Sequence, residues 1–160
     1  MRALLQRVSS ASVEIEGRSV AAIGNGLLVF LGVAKGDSVE AADWIVRKLL
    51  ALRIFPARKE SEHSAVARSK PPTTMNLSVS DLRADLLVVS QFTLTADTSR
   101  GNRPGFSTAE EPARAERLYQ YVVDQLGQLH TGKVASGVFG ADMQVALIND
   151  GPVTFLLEKR

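Results

Sequence analysis

The sequence contains no cysteine. A disulfide framework, a thiolate metal site and a cysteine nucleophile are therefore excluded. No apolar run approaches the roughly 20 residues of a membrane-spanning helix. The first sixteen residues, MRALLQRVSSASVEIE, alternate like a strand and have too short an apolar core for a signal peptide. We therefore predict a cytoplasmic protein that does not enter a membrane.

Histidine is scarce, with only His63 and His130 available. His63 lies in a charged stretch and His130 in a polar one. Either could act as a base in a Ser-His-acid triad, but a surface position is favoured for both. The sequence also has no Walker loop, no dinucleotide fingerprint and no His/Asp cluster at metal-ligand spacing. It therefore predicts a site without a metal ion or a cofactor.

What is present is an ordinary soluble composition: 160 residues, 45% hydrophobic and 22% charged, which predict one domain. The net charge is only +2, but the positive residues are grouped. A basic patch suits a phosphate-bearing partner, although charge alone favours solvated loop side chains. The two groups are Arg58, Lys59, Arg68 and Lys70 in one loop, and Arg100 with Arg103 in another.

Strand patterns outnumber helix patterns, and short turns join many of them. We predict an α/β fold, a single domain with a mostly antiparallel or mixed sheet and two main helices. Residues 57–74, rich in charge, serine and proline, predict an exposed loop. Besides the stretch described below, the predicted strands are residues 4–8, 12–16, 19–23, 27–33, 52–55, 134–138, 143–149 and 153–158.

Two helices have recognisable ends. Asp37 and Glu40 have capping-box spacing, which predicts that the first helix starts there and runs to about Leu50. Pro112 suits the first position of the second helix, and Gly127 is expected to end it. The predicted buried stripe of this second helix is Ala115, Leu118, Tyr119, Val122 and Leu126.

Two stretches carry unusual chemistry. Residues 86–97, LLVVSQFTLTAD, begin as a continuously apolar strand, which predicts burial on both faces. That strand ends in Ser90, Gln91, Phe92 and Thr93, polar groups on a rigid element where sites are built. The alternative is a strand end whose hydroxyls bond to nearby backbone. The second stretch is LINDGPVTF at 147–155.

SQFTL at 90–94 and NDGPVT at 149–154 resemble the D-aminoacyl-tRNA deacylase family. LLQRVSSASV at 4–13, GLLVFLGV at 26–33, GNRPGF at 101–106 and FGADMQV at 139–145 extend the resemblance along nearly the whole chain. It implies one compact α/β domain over 1–160, working as a homodimer with active sites at the subunit interface. The implied partner is the 3′ terminus of aminoacyl-tRNA, not DNA. Residues 57–74 depart from the family, whose members usually have a shorter, glycine-containing connection.

A nucleophilic Ser90 or Thr93 needs a base, and nothing adjacent in the sequence supplies one. We therefore predict that Gln91 and Phe92 donate backbone N–H groups to the developing oxyanion, while Ser90 and Thr93 shape the pocket. The resemblance implies that the terminal 2′-hydroxyl of the tRNA assists attack by water.

Gly151-Pro152 is the core of the second motif. Sequence alone favours a trans bond, because only about 5–6% of X-Pro bonds in folded proteins are cis. The resemblance implies a cis bond whose carbonyls face the active site of the other subunit and collide with an L side chain. Glycine has no side chain to exclude, so glycyl-tRNA is also an expected substrate. Arg7 matches a family position that fixes this segment, although a surface arginine at a strand edge is about equally compatible with the sequence.

Phe106 and Phe139 could stack on the terminal adenine, although core packing is favoured for both. Two other functions remain compatible with the residues. One is an esterase with a Thr93 or Ser90 nucleophile, and the other is a nucleic-acid-binding module without turnover, using the two basic groups. Neither alternative accounts for the pairing of SQFTL with NDGPVT.

Overall fold

A computed structural model of the chain describes residues 1–57 and 75–159. No helix in these ranges is long and apolar enough to cross a membrane. The strands are β1 (Arg2–Ile15), β2 (Arg18–Ile23), β3 (Gly26–Gly32), β4 (Phe55–Pro56), β5 (Met75–Leu77), β6 (Asp85–Ser90), β7 (Val134–Ser136) and β8 (Gln144–Glu158). The α-helices are α1 (Val39–Ala51), α2 (Val79–Leu82) and α3 (Pro112–Leu129).

Six strands form one mixed sheet in the order β2-β1-β3-β6-β7, with β8 also paired to β1. β1 runs antiparallel to β2, β3 and β8, whereas β6 is parallel to both β3 and β7. The short strands β4 and β5 form a separate antiparallel pair. The predicted α/β fold with a mixed sheet is confirmed. The one-turn helix α2, capped by a Ser78–Asp81 capping box, was not predicted.

Two long strands replace four predicted short ones. β1 is continuous through Ser9 and Ser10, which are exposed and fall between the predicted strands 4–8 and 12–16. β8 likewise runs through the Gly-Pro pair, because the flanking residues keep pairing with β1. Gln6 pairs with Thr154 and Val8 with Asn149, so residues 150–153 loop out as a wide bulge. The strand boundaries were wrong at both places because pairing between β1 and β8 continues the strands through the predicted gaps.

The apolar stretch at the start of β6 is buried on both faces, as predicted. Leu86 and Val88 pack in the cluster beneath α1 and α3, while Leu87 and Val89 pack in a second cluster on the opposite face. The strand that leads into the SQFTL motif is therefore held rigidly from both sides.

The helix ends differ in part from the predictions. Helix α1 begins after Ser38, which makes no side-chain cap hydrogen bond. The Asp37 carboxylate instead accepts the Ala34 N–H at 2.7 Å and pairs with the α-ammonium group of Met1. Helix α3 starts at Pro112 and buries the predicted stripe, but it passes through Gly127 and ends at Leu129. Gly127 therefore lies two residues before the end of the helix and does not terminate it, although the sequence had suggested that it would.

Candidate active site

The end of β6 passes directly into a tight turn. The Gln91 N–H donates to the Leu31 carbonyl of β3 at 2.8 Å, which extends the sheet ladder by one residue. The chain then enters a single turn of 3₁₀-helix at Phe92–Thr95. The Thr95 hydroxyl closes this turn from within by donating to the Phe92 carbonyl at 2.7 Å.

Gly32 of β3 makes room for that turn. A Cβ atom at this position would lie 2.9 Å from the Gln91 carbonyl oxygen and 3.0 Å from the Leu94 Cβ. These are closer than ordinary van der Waals contacts, so a side chain here would push the turn away from the sheet. The position of the turn thus depends on a glycine in a neighbouring strand.

The backbone donors at this strand end are not the pair predicted. The Gln91 backbone N–H is hydrogen-bonded to the Leu31 carbonyl, so it is not available to an oxyanion. Leu94 donates to the Gln91 carbonyl at 3.2 Å. The first N–H groups of a 3₁₀ turn have no acceptor within it, and within residues 1–57 and 75–159 those of Phe92 and Thr93 donate to no protein atom. The free donors are therefore Phe92 and Thr93.

In the described part of the chain, the Thr93 hydroxyl is not hydrogen-bonded to a side chain that could act as a base. Its oxygen accepts a short hydrogen bond from the Gln91 side-chain amide, which cannot take up a proton. Hydrogen bonds from Ser99 lower the pKa of Asp97, which makes that carboxylate a poor base. Burial raises the pKa of Tyr119 to about 12, and its hydroxyl donates to the Val88 carbonyl at 2.9 Å.

Two exposed aromatic side chains stand beside the turn. The rings of Phe92 and Phe106 are tilted by 55° with centroids 5.0 Å apart, and they are 59% and 40% exposed. Phe106 is thus not a core residue, against the favoured prediction. Phe139 is half-buried and packs against the core, with its ring centroid 5.7 Å from that of the buried Tyr119.

A closed loop carries two of the predicted basic residues next to these aromatics. Asp97 and Gly105 exchange two backbone hydrogen bonds of 2.8 Å, which close the loop between them. Arg100 and Arg103 lie on this loop and are exposed. The other predicted basic group, Arg58, Lys59, Arg68 and Lys70, lies outside the described residues, as does His63.

The second motif forms the bulge of β8. The Gly151–Pro152 peptide bond is cis, and both residues are exposed. Arg7 is only 8% exposed, and its Nε donates to the Asp150 carbonyl at 3.0 Å. Its Nη1 donates to the Ile54 carbonyl at 2.7 Å. Arg7 is therefore not a surface residue at a strand edge: it anchors the residue that precedes Gly151.

The two motifs do not meet within one chain. The bulge lies beside Arg7, which pairs with Leu27, whereas Ser90 pairs with Leu31, four residues further along β3. Four residues span roughly 13 Å along a strand. The bulge and the turn are also three strands apart, from β8 across β1 and β3 to β6.

His130 was expected at the surface and is buried instead, 6% exposed. Its Nε2 donates to the Ala84 carbonyl at 2.7 Å. No alternation marks this position, because His130 follows the last residue of α3, so nothing in the local pattern indicated its burial. Among the described residues, no group of three His, Asp or Glu side chains converges as a metal site.

The family model for D-Tyr-tRNA(Tyr) deacylases matches residues 4–158, which include both motifs. The chain belongs to this family. D-aminoacyl-tRNA deacylases of Magnetococcus marinus and Prosthecochloris aestuarii are 52% and 51% identical to it over 158 residues. These alignments cover 99% of this chain and 96% and 99% of the two relatives.

Two solved structures share the fold. One described as c-Myc DNA Unwinding Element Binding Protein superposes with a TM-score of 0.89 at 37% identity, covering 100% of this chain and 99% of the other. A probable eukaryotic D-amino acid tRNA deacylase shares the fold, with a TM-score of 0.74 at 17% identity over 98% and 97% of the two chains. As a member of the family, the chain is a hydrolase that acts on an ester bond.

Proposed function

We propose that this chain hydrolyses the ester bond of D-aminoacyl-tRNA at the end of β6, releasing the free D-amino acid and tRNA, and spares L-aminoacyl-tRNA. The observation that carries the proposal is the pair of unpaired N–H groups of Phe92 and Thr93 on a turn with no adjacent base. Such a site suits a reaction in which charge develops on oxygen and the substrate brings its own reactivity.

In this mechanism water attacks the ester carbonyl carbon, and the carbonyl oxygen becomes an oxyanion held by Phe92 and Thr93. Each such donor contributes about 10²–10³ in rate. The intermediate collapses by breaking the bond to the ribose oxygen, which leaves as the hydroxyl of the tRNA after taking up a proton. The vicinal 2′-hydroxyl of the terminal ribose is the nearest group that can relay this proton, so a catalytic side chain is dispensable.

The partner that fits this surface is the single-stranded 3′ terminus of the tRNA. Unpaired bases stack on exposed aromatic rings, and Phe92 with Phe106 offers such a platform. Arg100 and Arg103 stand on the adjoining loop, where they can meet backbone phosphates. We expect duplex DNA not to compete for this site, and we assign the reaction to the cytoplasm, where aminoacyl-tRNA is used.

A second copy of the chain completes the site in this proposal. Leu4 pairs with Phe30 and with Leu156, so the three side chains form one apolar row on the same face of the sheet. Leu156 is 56% exposed. A two-fold axis brings the same patch of both copies together. In the proposed dimer, this contact places the Phe92–Thr95 turn of each copy next to the Gly151–Pro152 bulge of the other.

In this dimer, the site would select D-aminoacyl esters by sterically excluding the L side chain. With the amino group and the ester of the substrate fixed, the Gly151–Pro152 backbone of the second copy occupies the space that an L side chain needs. A D side chain points away from it. This filter does not depend on recognising any particular side chain, so D-tyrosine is one substrate among several and glycyl-tRNA is cleaved as well.

The test is single-turnover deacylation of D-tyrosyl-, L-tyrosyl- and glycyl-tRNA. We expect rapid release of D-tyrosine, slower but measurable release of glycine, and L-tyrosyl-tRNA spared by at least about 100-fold. Uncharged tRNA and duplex DNA serve as competitors, and only the tRNA should inhibit. Equal release of both tyrosine enantiomers would remove the role given to Gly151 and Pro152. Binding of tRNA without release of any amino acid would overturn the proposal.

A further inference from the structure

We infer that Asn149 is the positioning residue that sets the shape of the selectivity bulge (residues 150–153), and hence the discrimination against L-aminoacyl esters. This inference rests on the proposed function. It concerns how the bulge is held in place. This role of the Asn149 side chain does not follow from the family match or from the sequence of the motif.

Asn149 bonds across the base of the bulge with both ends of its side-chain amide. Its Oδ1 accepts the Val153 N–H at 2.7 Å. Its Nδ2 donates to the Val153 carbonyl and to the Thr154 hydroxyl, each at 3.3 Å. One side chain therefore bonds to the two residues at which the chain returns to the strand.

The sheet cannot hold this segment by itself. β1 pairs with β8 at Asn149 and again at Thr154, and no ladder pair falls between them. On the near side of the bulge, Arg7 holds the Asp150 carbonyl. On the far side, the bonds from Asn149 take the place of the missing ladder bonds. Without them the backbone from Gly151 to Val153 loses its anchor at one end.

Loss of the Asn149 hydrogen bonds should affect discrimination between D and L substrates and not the rate of ester hydrolysis itself. The bulge is remote from the Phe92–Thr95 turn of its own chain, and a D side chain points away from it. Exclusion of an L side chain, in contrast, requires the bulge backbone to stay within a fraction of an ångström of its place. Loosening the bulge should therefore admit L substrates while the D reaction continues.

The experiment compares Asn149→Ala with wild type on the D-tyrosyl, L-tyrosyl and glycyl esters of tRNA. We expect the rate on the L ester to rise at least tenfold, and the rates on the D and glycyl esters to stay within about threefold. Asn149→Asp keeps the Oδ1 acceptor for the 2.7 Å bond and loses the amide donors. It should therefore restore part of the discrimination.

Gln144→Ala, at an exposed position of the same strand, is the matched control and should leave all three rates unchanged. Thermal unfolding of each variant reports any general loss of stability. An unchanged ratio of the D rate to the L rate in a folded, active Asn149→Ala protein would overturn this inference and leave the proposed function standing. A fall of all three rates in parallel with the melting temperature would have the same consequence. A wild type that cleaves none of the esters would remove the proposed function, and this inference with it.

Discussion

Thr93 shows how a single hydrogen bond separates two mechanisms. A threonine nucleophile has to lose its proton to a neighbouring base, yet the neighbour that contacts the Thr93 hydroxyl is the Gln91 amide. The same residue does offer an unpaired backbone N–H. In the proposed reaction, Thr93 therefore acts through its backbone N–H, which a side-chain substitution does not remove.

Thr93→Ala should accordingly keep at least about one tenth of the wild-type kcat on D-tyrosyl-tRNA, because the Phe92 and Thr93 N–H groups both remain. Loss of a true nucleophile typically costs about 10⁶ in kcat, so the two mechanisms are far apart. Thr93→Ser is the matched control, since it keeps the hydroxyl. Single-turnover rates decide the question, and complete loss of activity in the alanine variant, with tRNA binding intact, would establish Thr93 as the nucleophile.

At the scale of elements, the 3₁₀ turn and β3 fit together through Gly32. The two unpaired N–H groups belong to the turn, and the turn rests where a Cβ atom on Gly32 would collide with it. A small displacement of the turn moves both donors at once. Oxyanion stabilisation depends on donor positions to within a few tenths of an ångström. In the proposed mechanism, β3 would therefore influence the reaction without supplying any reacting group.

Gly32→Ala should therefore lower kcat at least tenfold and change tRNA binding much less, with a loss of about 1–3 kcal/mol in stability from overpacking. Gly127→Ala is the control, because a Cβ atom there meets nothing within 4 Å. In the interior of α3 it should raise stability by roughly 0.5–1 kcal/mol and leave kcat unchanged. Steady-state kinetics with urea unfolding separate the two effects. Wild-type kcat in Gly32→Ala would show that the turn does not carry the donors.

The same elements show which features the sequence could predict. A continuous apolar run and a helical apolar stripe are both local signals, so the burial of β6 on both faces and the stripe of α3 were predictable from residue type alone. The continuity of β1 through Ser9 and Ser10 was not, because it depends on pairing with a strand more than a hundred residues away.

The candidate site divides in the same way. Its residues were identified from a polar strand end and from resemblance to family motifs, which also implied the cis Gly151–Pro152 bond. The positions of the free backbone donors came only from the fold. The N–H of Gln91 illustrates the limit: whether it is free depends on Leu31 of a neighbouring strand, and no local pattern reports that.

For the whole molecule, the separation of the two motifs is the decisive feature. One chain holds the donors at the Phe92–Thr95 turn and the selectivity bulge four residues and three strands away. In the proposed site, one copy alone could not bring the two motifs together, because β1 and β3 lie between their strands. A two-fold pair of copies requires only that each contribute a different end of the same surface.

Mixed dimers test this arrangement. Gly151→Ala should distort the bulge, because its Cβ would lie 2.5 Å from the Val153 Cγ2, so its homodimers should cleave both enantiomeric esters. Gly32→Ala homodimers should cleave neither well. In dimers purified with one copy of each, the intact turn of one faces the intact bulge of the other. The D rate should therefore be about half that of Gly151→Ala homodimers, while the L rate falls at least tenfold. If each copy held a whole site, the L rate would fall only by half, because a bulge on another chain could not correct a defective one.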